Sequence, residues 1–171
     1  MRYAPAATLA PRAALGPPIV VETAYDFDCP VAVVWAGITN AVMTLPKPLC
    51  FNLGLPVPRS CAITASSAGV GTRRRCTSDK GAIEQEITEF DPGRCLAFRM
   101  VSHDLATIVA IGGMDDRFEF SANAKGGVHL TRTTRISLPL GHGYALRRFA
   151  IRRSLLSIHR YVYRNIALTP G

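Results

Sequence analysis

The sequence has none of the long apolar segments that place a chain in a membrane. No apolar run reaches the roughly 18 residues that a membrane-spanning helix needs, and the longest candidate covers only 105–114. The N-terminus contains Pro5, Pro11 and Arg12, which interrupt the apolar core of a signal peptide. With 171 residues, 48% of them apolar, we expect a cytoplasmic protein with a flexible tail over 1–17 and a single folded domain over 18–171.

Metal-binding and redox motifs are missing as well. The cysteines are odd in number and form no C-x-x-C, so we expect free thiols in a reducing compartment. The histidines form no H-x-x-x-H or H-E-x-x-H, so we expect neither a metal ion nor a cofactor. The residues concerned are Cys29, Cys50, Cys61, Cys76, Cys95, His103, His129, His142 and His159.

Acidic residues are absent from the last third of the chain. The last acid is Glu119, whereas residues 120–171 contain nine Lys or Arg, and the net charge is +8. Such a basic segment indicates an anionic partner, which could be a lipid headgroup, a nucleic acid or the acidic half of the protein itself. Nucleic acid ranks last, because no recognition motif is present and few aromatics stand beside the arginines. The sequence does not determine the oligomeric state.

Period-two alternation of apolar residues predicts an antiparallel sheet of six or seven strands. In residues 91–94, Pro92 and Gly93 take the second and third positions of a type II turn. Gly126 and Gly127 are expected to supply positive φ in a later hairpin. The predicted strands are 19–27, 60–65, 71–78, 82–90, 95–102, 116–122 and 127–138.

Helical periodicity appears at both ends of this run of strands. A short helix is predicted to begin near Pro30, and a second near 39–45. A long one over 144–168 carries an apolar stripe of Ile151, Leu155, Ile158, Val162 and Ile166. This helix would be about 37 Å long, enough to cross strands of about 26 Å. We therefore expect an α+β fold in which a curved antiparallel sheet wraps around the long C-terminal helix and leaves an apolar cavity.

Four segments carry a family resemblance: "CPVAVVW", "GVGTRRRC", "GAIEQEITEFDPGRCLAF" and "GGVHLTRTT". With these motifs, residues 19–168 resemble the StAR-related lipid-transfer and polyketide cyclase/dehydrase superfamily, which has the helix-grip fold. The resemblance implies a hydrophobic ligand such as a lipid, an isoprenoid or a polyketide. Some members of the family catalyse cyclisation or dehydration, but no catalytic set of the family is recognisable here, and fold alone does not assign one.

The charged residues of the third and fourth strands allow two interpretations. Arg75 and Glu86 could lie on the solvent face, where cross-strand ion pairs are common. Alternatively, this pair points inward, fixes the polar end of a ligand and acts in proton transfer. Arg132 raises the same question, because it shares its strand face with Leu130 and Ile136.

Candidate site residues follow from these interpretations. Glu86, Arg75 and His103 are the catalytic candidates, and His103 and His159 could each donate a proton near neutral pH. Apolar residues of the predicted elements would form the cavity wall. The ligand-binding candidates are Trp35, Phe51, Arg75, Glu86, Phe98, Met100, His103, Phe118, Arg132, Leu155 and His159.

Three functions remain open at this point. The first is binding or carriage of a small hydrophobic ligand, since no specific catalytic constellation is present. The second is a cyclase or dehydratase that uses the candidates above. The third is association with an anionic membrane surface through the arginines of the C-terminal helix, worth about 1 kcal/mol per basic residue near the surface.

Overall fold

The computed structural model describes residues 14–48, 51, 56–63, 68–105 and 111–168. Within these ranges the chain forms strands and two helices in the order expected for an α+β protein. The elements are β1 (Ile19–Phe27), α1 (Val31–Thr39), β2 (Pro58–Ile63), β3 (Arg73–Ser78), β4 (Gly81–Asp91), β5 (Cys95–His103), β6 (Gly113–Ala122), β7 (Val128–Ser137) and α2 (Tyr144–Leu168).

The seven strands form one antiparallel sheet with the order β1-β7-β6-β5-β4-β3-β2. The register shifts twice between β4 and β5, at Glu84/Gln85 and at Ile87/Glu89, and such bulges bend a sheet and increase its twist. Helix α2 packs on the concave face, where Leu155 and Val162 join apolar clusters with strand residues. The predicted helix-grip arrangement is therefore confirmed.

The local signals of the sequence are confirmed at several points. Strand β1 and helix α2 have the predicted bounds. Gly93 has φ 78°, and the Arg94 amide donates to the Asp91 carbonyl at 3.0 Å, as in a type II turn. Gly126 has φ 83°, but Gly127 does not have positive φ. Gly127 is required for another reason, because a Cβ there would lie 2.0 Å from the Phe27 carbonyl oxygen.

The second short helix predicted near 39–45 is wrong. Helix α1 ends at Thr39, and the following residues run alongside β2 instead. The Met43 amide donates to the Arg59 carbonyl at 2.8 Å, and the Cys61 amide donates to the Ala41 carbonyl at 2.8 Å. These hydrogen bonds satisfy the exposed edge of β2, so tertiary pairing outweighs the weak helical propensity of the segment.

The expectation that all cysteines are free thiols is also wrong. Cys61 and Cys76 form a disulfide between β2 and β3, where the sheet register places them directly opposite each other. Cys29 and Cys95 are free, and Cys50 lies outside the described residues. Because disulfides are rare in reducing compartments, the cytoplasmic location gains no support from this pairing and stays a prediction.

The N-terminal segment is described only from residue 14. The first thirteen residues of the predicted tail lie outside the described residues. The next part pairs with the residues that follow β7: the Gly16 amide donates to the Leu138 carbonyl at 3.0 Å, and the Leu140 amide donates to the Ala14 carbonyl at 2.8 Å. A domain boundary at residue 18 stays a prediction.

Candidate functional site

A cavity of about 130 Å³ lies between the concave face of the sheet, the segment after α1, and α2. Most of its wall is apolar, and its charged and amide side chains come from two pairs of neighbouring strands, β3 with β4 and β6 with β7. The apolar wall includes Ile38, Ala41, Met43, Ile83, Met114, Phe118, Leu155, Ile158 and Val162, and the charged residues of the wall are Arg74, Asp116 and Arg132.

Arg74 forms one polar part of this wall. Side chains alternate along β3, so Arg74 points inward and is only 4% exposed. Its Nε and Nη2 donate to the Gln85 Oε1 atom at 3.1 and 2.7 Å, and its Nη1 donates to the Ile38 carbonyl at 2.9 Å. The guanidinium carbon lies 3.5 Å from the centroid of the Phe98 ring. Burial lowers the pKa of Arg74 to about 9, so the group still carries its charge at neutral pH.

Asp116 and Arg132 form a buried ion pair across β6 and β7. Arg132 donates from Nε and Nη2 to the two carboxylate oxygens of Asp116 at 3.1 and 3.0 Å, and the Thr134 hydroxyl donates to the same carboxylate. Asp116 is 2% exposed. Burial by itself raises the pKa of Asp116, but the charge and hydrogen bonds of Arg132 outweigh it and lower the pKa to about 2.

A chain of hydrogen bonds continues from this pair into α2. The Thr134 hydroxyl lies 2.8 Å from His159 Nε2, the His159 Nδ1 atom lies 2.7 Å from the Thr23 hydroxyl, and that hydroxyl lies 2.9 Å from the Tyr163 hydroxyl. Burial, followed by the charge of Arg132, lowers the pKa of His159 to about 3, so its ring is neutral at pH 7.

The direction of this chain follows from counting protons. Thr134 has one hydroxyl proton and gives it to the Asp116 carboxylate, so it must accept from His159 Nε2. Neutral His159 then carries its proton on Nε2, and its Nδ1 accepts from Thr23. Thr23 in turn accepts from the Tyr163 hydroxyl, whose proton is shared between the Thr23 hydroxyl at 2.9 Å and the Thr23 carbonyl at 3.3 Å. The ordered donors fix His159 in one tautomer and orient the carboxylate of Asp116.

Some of the sequence-predicted site residues come together at this cavity. Phe118, Arg132 and Leu155 belong to its wall. His159 lies behind the wall and reaches Asp116 only through Thr134. Phe98 lies beneath the guanidinium of Arg74 and supports it.

Three other predicted wall residues pack against apolar neighbours and do not themselves line the cavity. Trp35 packs against Phe90 and Phe120, with ring centroids 5.5 and 5.3 Å away. Phe51 packs against Tyr161 at 5.4 Å. Met100 packs against the apolar cluster that contains Ile19, Met114 and Leu155. These positions share the apolar character of cavity residues, which is why sequence alone did not separate the two groups.

The hypothesis of an inward-pointing Arg75–Glu86 pair needs correction. Arg75 lies on the outer face of β3 and its side chain is 50% exposed. It pairs with Glu84 at 2.6 Å, whereas Glu86 lies across the ladders from Arg73 and Arg99.

His103 is likewise not part of the cavity wall. It is an exposed residue at the last position of β5. None of the three catalytic candidates, Glu86, Arg75 and His103, therefore lines the cavity.

Of the buried polar residues that the sequence analysis did not select, four belong to the cavity wall or its hydrogen-bond chain: Arg74, Gln85, Asp116 and Thr134. These residues could have been identified from the sequence, because each one has an apolar residue two positions away in its strand and so lies on the same face as that residue. Asp116 alternates with Met114 and Phe118, and Gln85 lies between two isoleucines at 83 and 87. A polar residue at an apolar parity of a half-buried strand points into the core, where it needs a partner.

No family model matches the sequence, and no curated protein matches it. Several solved structures do share its architecture. A START superfamily protein from Mycobacterium smegmatis covers 88% of this chain and 99% of its own, with a TM-score of 0.59 at 11% identity. Protein CV1439 from Chromobacterium violaceum covers 87% and 94%, with a TM-score of 0.57 at 12% identity. Ara h 8.0201 covers 87% and 100%, with a TM-score of 0.50 at 14% identity. The chain therefore has the helix-grip fold.

Proposed function

We propose that the protein binds and carries a small hydrophobic ligand, such as a lipid, an isoprenoid or a polyketide-like molecule, in the cavity beneath α2. The observation that carries this proposal is a cavity of about 130 Å³ with a mostly apolar wall and a few buried polar groups. An apolar cavity of about 150 Å³ holds a benzene-sized molecule. The cavity therefore suits a small ligand, or one end of a longer one.

The family resemblance of the sequence supports the same function, because it implies hydrophobic ligands. A START superfamily protein with the same fold is consistent with it. The cyclase or dehydratase alternative has no comparable support. His159, the titratable imidazole nearest the cavity, has both ring nitrogens bonded to threonines and stays neutral down to about pH 3.

Native mass spectrometry of the purified protein, followed by organic extraction, tests this function. We expect a bound small molecule in the wild type. Leu155→Trp fills the cavity from α2 and should lower ligand occupancy at least tenfold. Leu146→Trp is the matched control, because it lies on the same helix with a 72% exposed side chain.

Ala41→Leu offers a second way to fill the space, from the segment beside β2. It guards against the case in which Leu155→Trp fails to fold. A wild-type protein that carries no small molecule and takes none up from an added apolar compound would overturn the proposal. The same conclusion would follow if folded Leu155→Trp and Ala41→Leu bound ligand as the wild type does.

A second candidate function is contact with an anionic membrane surface through the first half of α2. Phe149 is 61% exposed and lies beside Arg153, whose guanidinium is 5.7 Å from its ring. Helix α2 contains no acidic residue to pair with its arginines. Exposed apolar side chains among basic ones are typical of a surface that contacts lipid headgroups. Within the described part of the chain, neither helix is long and apolar enough to cross a bilayer.

A further inference from the structure

The charged side chains of the cavity wall have a net charge of +1. Its charged residues are Arg74, Arg132 and Asp116, two cations and one anion. Both carboxylate oxygens of Asp116 accept from Arg132, and one also accepts from Thr134. Asp116 thus makes ion-pair hydrogen bonds with Arg132 alone among these two arginines, although its charge also raises the pKa of Arg74 and so partly offsets the effect of burial.

No carboxylate of the described residues accepts a hydrogen bond from Arg74. Its three hydrogen bonds go to an amide oxygen of Gln85 and a backbone carbonyl of Ile38, which are neutral acceptors. Taking a guanidinium out of water without a counterion is costly. Nevertheless the side chain is held in this position by three hydrogen bonds and by the ring of Phe98, which gives the cavity a fixed cationic group.

Both arginines keep N–H groups that donate to no described protein atom. A guanidinium has five N–H donors. Arg74 uses three of them, and Arg132 uses two, leaving its Nη1 without a described acceptor. Because both residues lie in the cavity wall, an anionic group in the cavity would find charge and donors together.

We propose that the ligand is a small monocarboxylic acid, with its carboxylate bound by Arg74 and Arg132 and its apolar body in the remainder of the cavity. This inference rests on the proposed ligand-binding function and names its chemical class. A single negative charge neutralises the single excess positive charge, whereas a phosphate dianion would leave a buried negative charge. Arginine also matches the planar carboxylate through paired hydrogen bonds.

Isothermal titration at pH 7 with two matched probe pairs tests the head group. The pairs are 3-phenylpropanoate with 3-phenylpropanamide, and hexanoate with hexanamide, which differ within each pair in charge but hardly in shape. We expect the wild type to bind at least one acid ten times or more tighter than its amide. Phenylethyl phosphate should bind more weakly than 3-phenylpropanoate.

Two variants show whether the preference for the acid depends on Arg74 itself or only on the net charge of the protein. Arg74→Met removes the cavity charge with a side chain of similar length, and the preference for acid over amide should fall to within twofold. Arg75→Met removes the same charge from the neighbouring outer-face position and should keep the wild-type preference. Thermal unfolding checks that Arg74→Met still folds, and we expect a lower melting temperature, because the Gln85 Oε1 atom and the Ile38 carbonyl lose their buried donor.

The outcomes distinguish the head group from the cavity. If wild type binds acid and amide equally, or Arg74→Met keeps the preference, the carboxylate assignment is wrong while ligand binding in the cavity stands. Tighter binding of phenylethyl phosphate would overturn the choice of a monoanion. If neither member of either pair binds, and no small molecule copurifies, both the head group and the proposed function are wrong.

Discussion

Asp116 is the acceptor that connects the buried polar side chains beside the cavity. It accepts from Arg132 and Thr134, and through Thr134 it is linked to His159 and Thr23. The buried carboxylate is the one anion among the charged residues of the cavity wall. Its removal would leave two cations in a region from which water is largely excluded.

Asp116→Asn should therefore be strongly destabilising. The amide keeps the shape of the side chain but loses the charge that compensates Arg132, and we expect a loss of about 3–5 kcal/mol in the free energy of unfolding. Urea denaturation at pH 7.5 measures it. The control is Asp115→Asn at the adjacent position, where the carboxylate is 53% exposed and pairs with Arg99 at the surface. That variant should lose no more than about 1 kcal/mol, and equal losses in both variants would contradict the role of Asp116.

For single residues, the sequence indicated that charged side chains of the strands could belong to the site, but it did not identify which of them line the cavity. Arg74 and Arg75 are adjacent and chemically identical, yet one lines the cavity and the other pairs with Glu84 outside. Arg132 was correctly associated with the apolar parity of β7 and lies in the cavity wall. Asp116 had the same signal in β6 and was not selected.

Helix α2 has two different halves. Its second half contributes buried residues such as His159, Val162 and Tyr163, whereas the first half exposes Leu146 and Phe149. One helix thus covers the cavity with one part and presents apolar and basic side chains to solvent with the other. This division is the reason for the membrane candidate.

Liposome sedimentation tests that candidate. We expect binding to vesicles with anionic lipid, weaker binding to neutral vesicles, and weaker binding at high salt, because exposed charges are screened. Phe149→Ser should reduce the bound fraction severalfold. The control is Val101→Ser, which removes a 46% exposed apolar side chain from β5 rather than from α2. Equal binding to both vesicle types, or none, would rule out the electrostatic membrane contact.

At the scale of the whole molecule, the buried network makes stability depend on pH. His159 is neutral in the fold with a pKa of about 3, whereas an unfolded histidine titrates near 6.5. Below pH 6.5, His159 is therefore protonated in the unfolded state but stays neutral in the folded state. The free energy of unfolding then falls as the pH is lowered. Asp116, with its pKa lowered from 3.8 to about 2, adds a further loss only below about pH 4.

We expect the wild type to lose about 2–3 kcal/mol of unfolding free energy between pH 7.5 and 4.5 through His159. His159→Gln should be less stable at pH 7.5 but should lose much less on acidification. His129→Gln serves as the control, because His129 is 41% exposed and pairs with Asp26 at the surface. Denaturant titrations of the three proteins at both pH values measure this, and an unchanged pH dependence in His159→Gln would refute it.

Local signals along the chain were enough to predict the order of the strands, the bounds of β1 and α2, and the turn at residues 91–94. These depend on side-chain periodicity and backbone preferences within a few residues, which are local physical properties. The same local reasoning failed at 39–45, where pairing with the edge of β2 decided the conformation.

The charges that face the cavity and the cysteines that pair could be identified only from the folded protein. Strand register brings three pairs of side chains into contact: Arg74 with Gln85, Asp116 with Arg132, and Cys61 with Cys76. Register in turn depends on turns, on bulges and on the burial of a whole sheet face. His159 reaches Thr23 across 136 positions of sequence. Contacts of this kind are a property of the assembled core, because no short segment contains both partners.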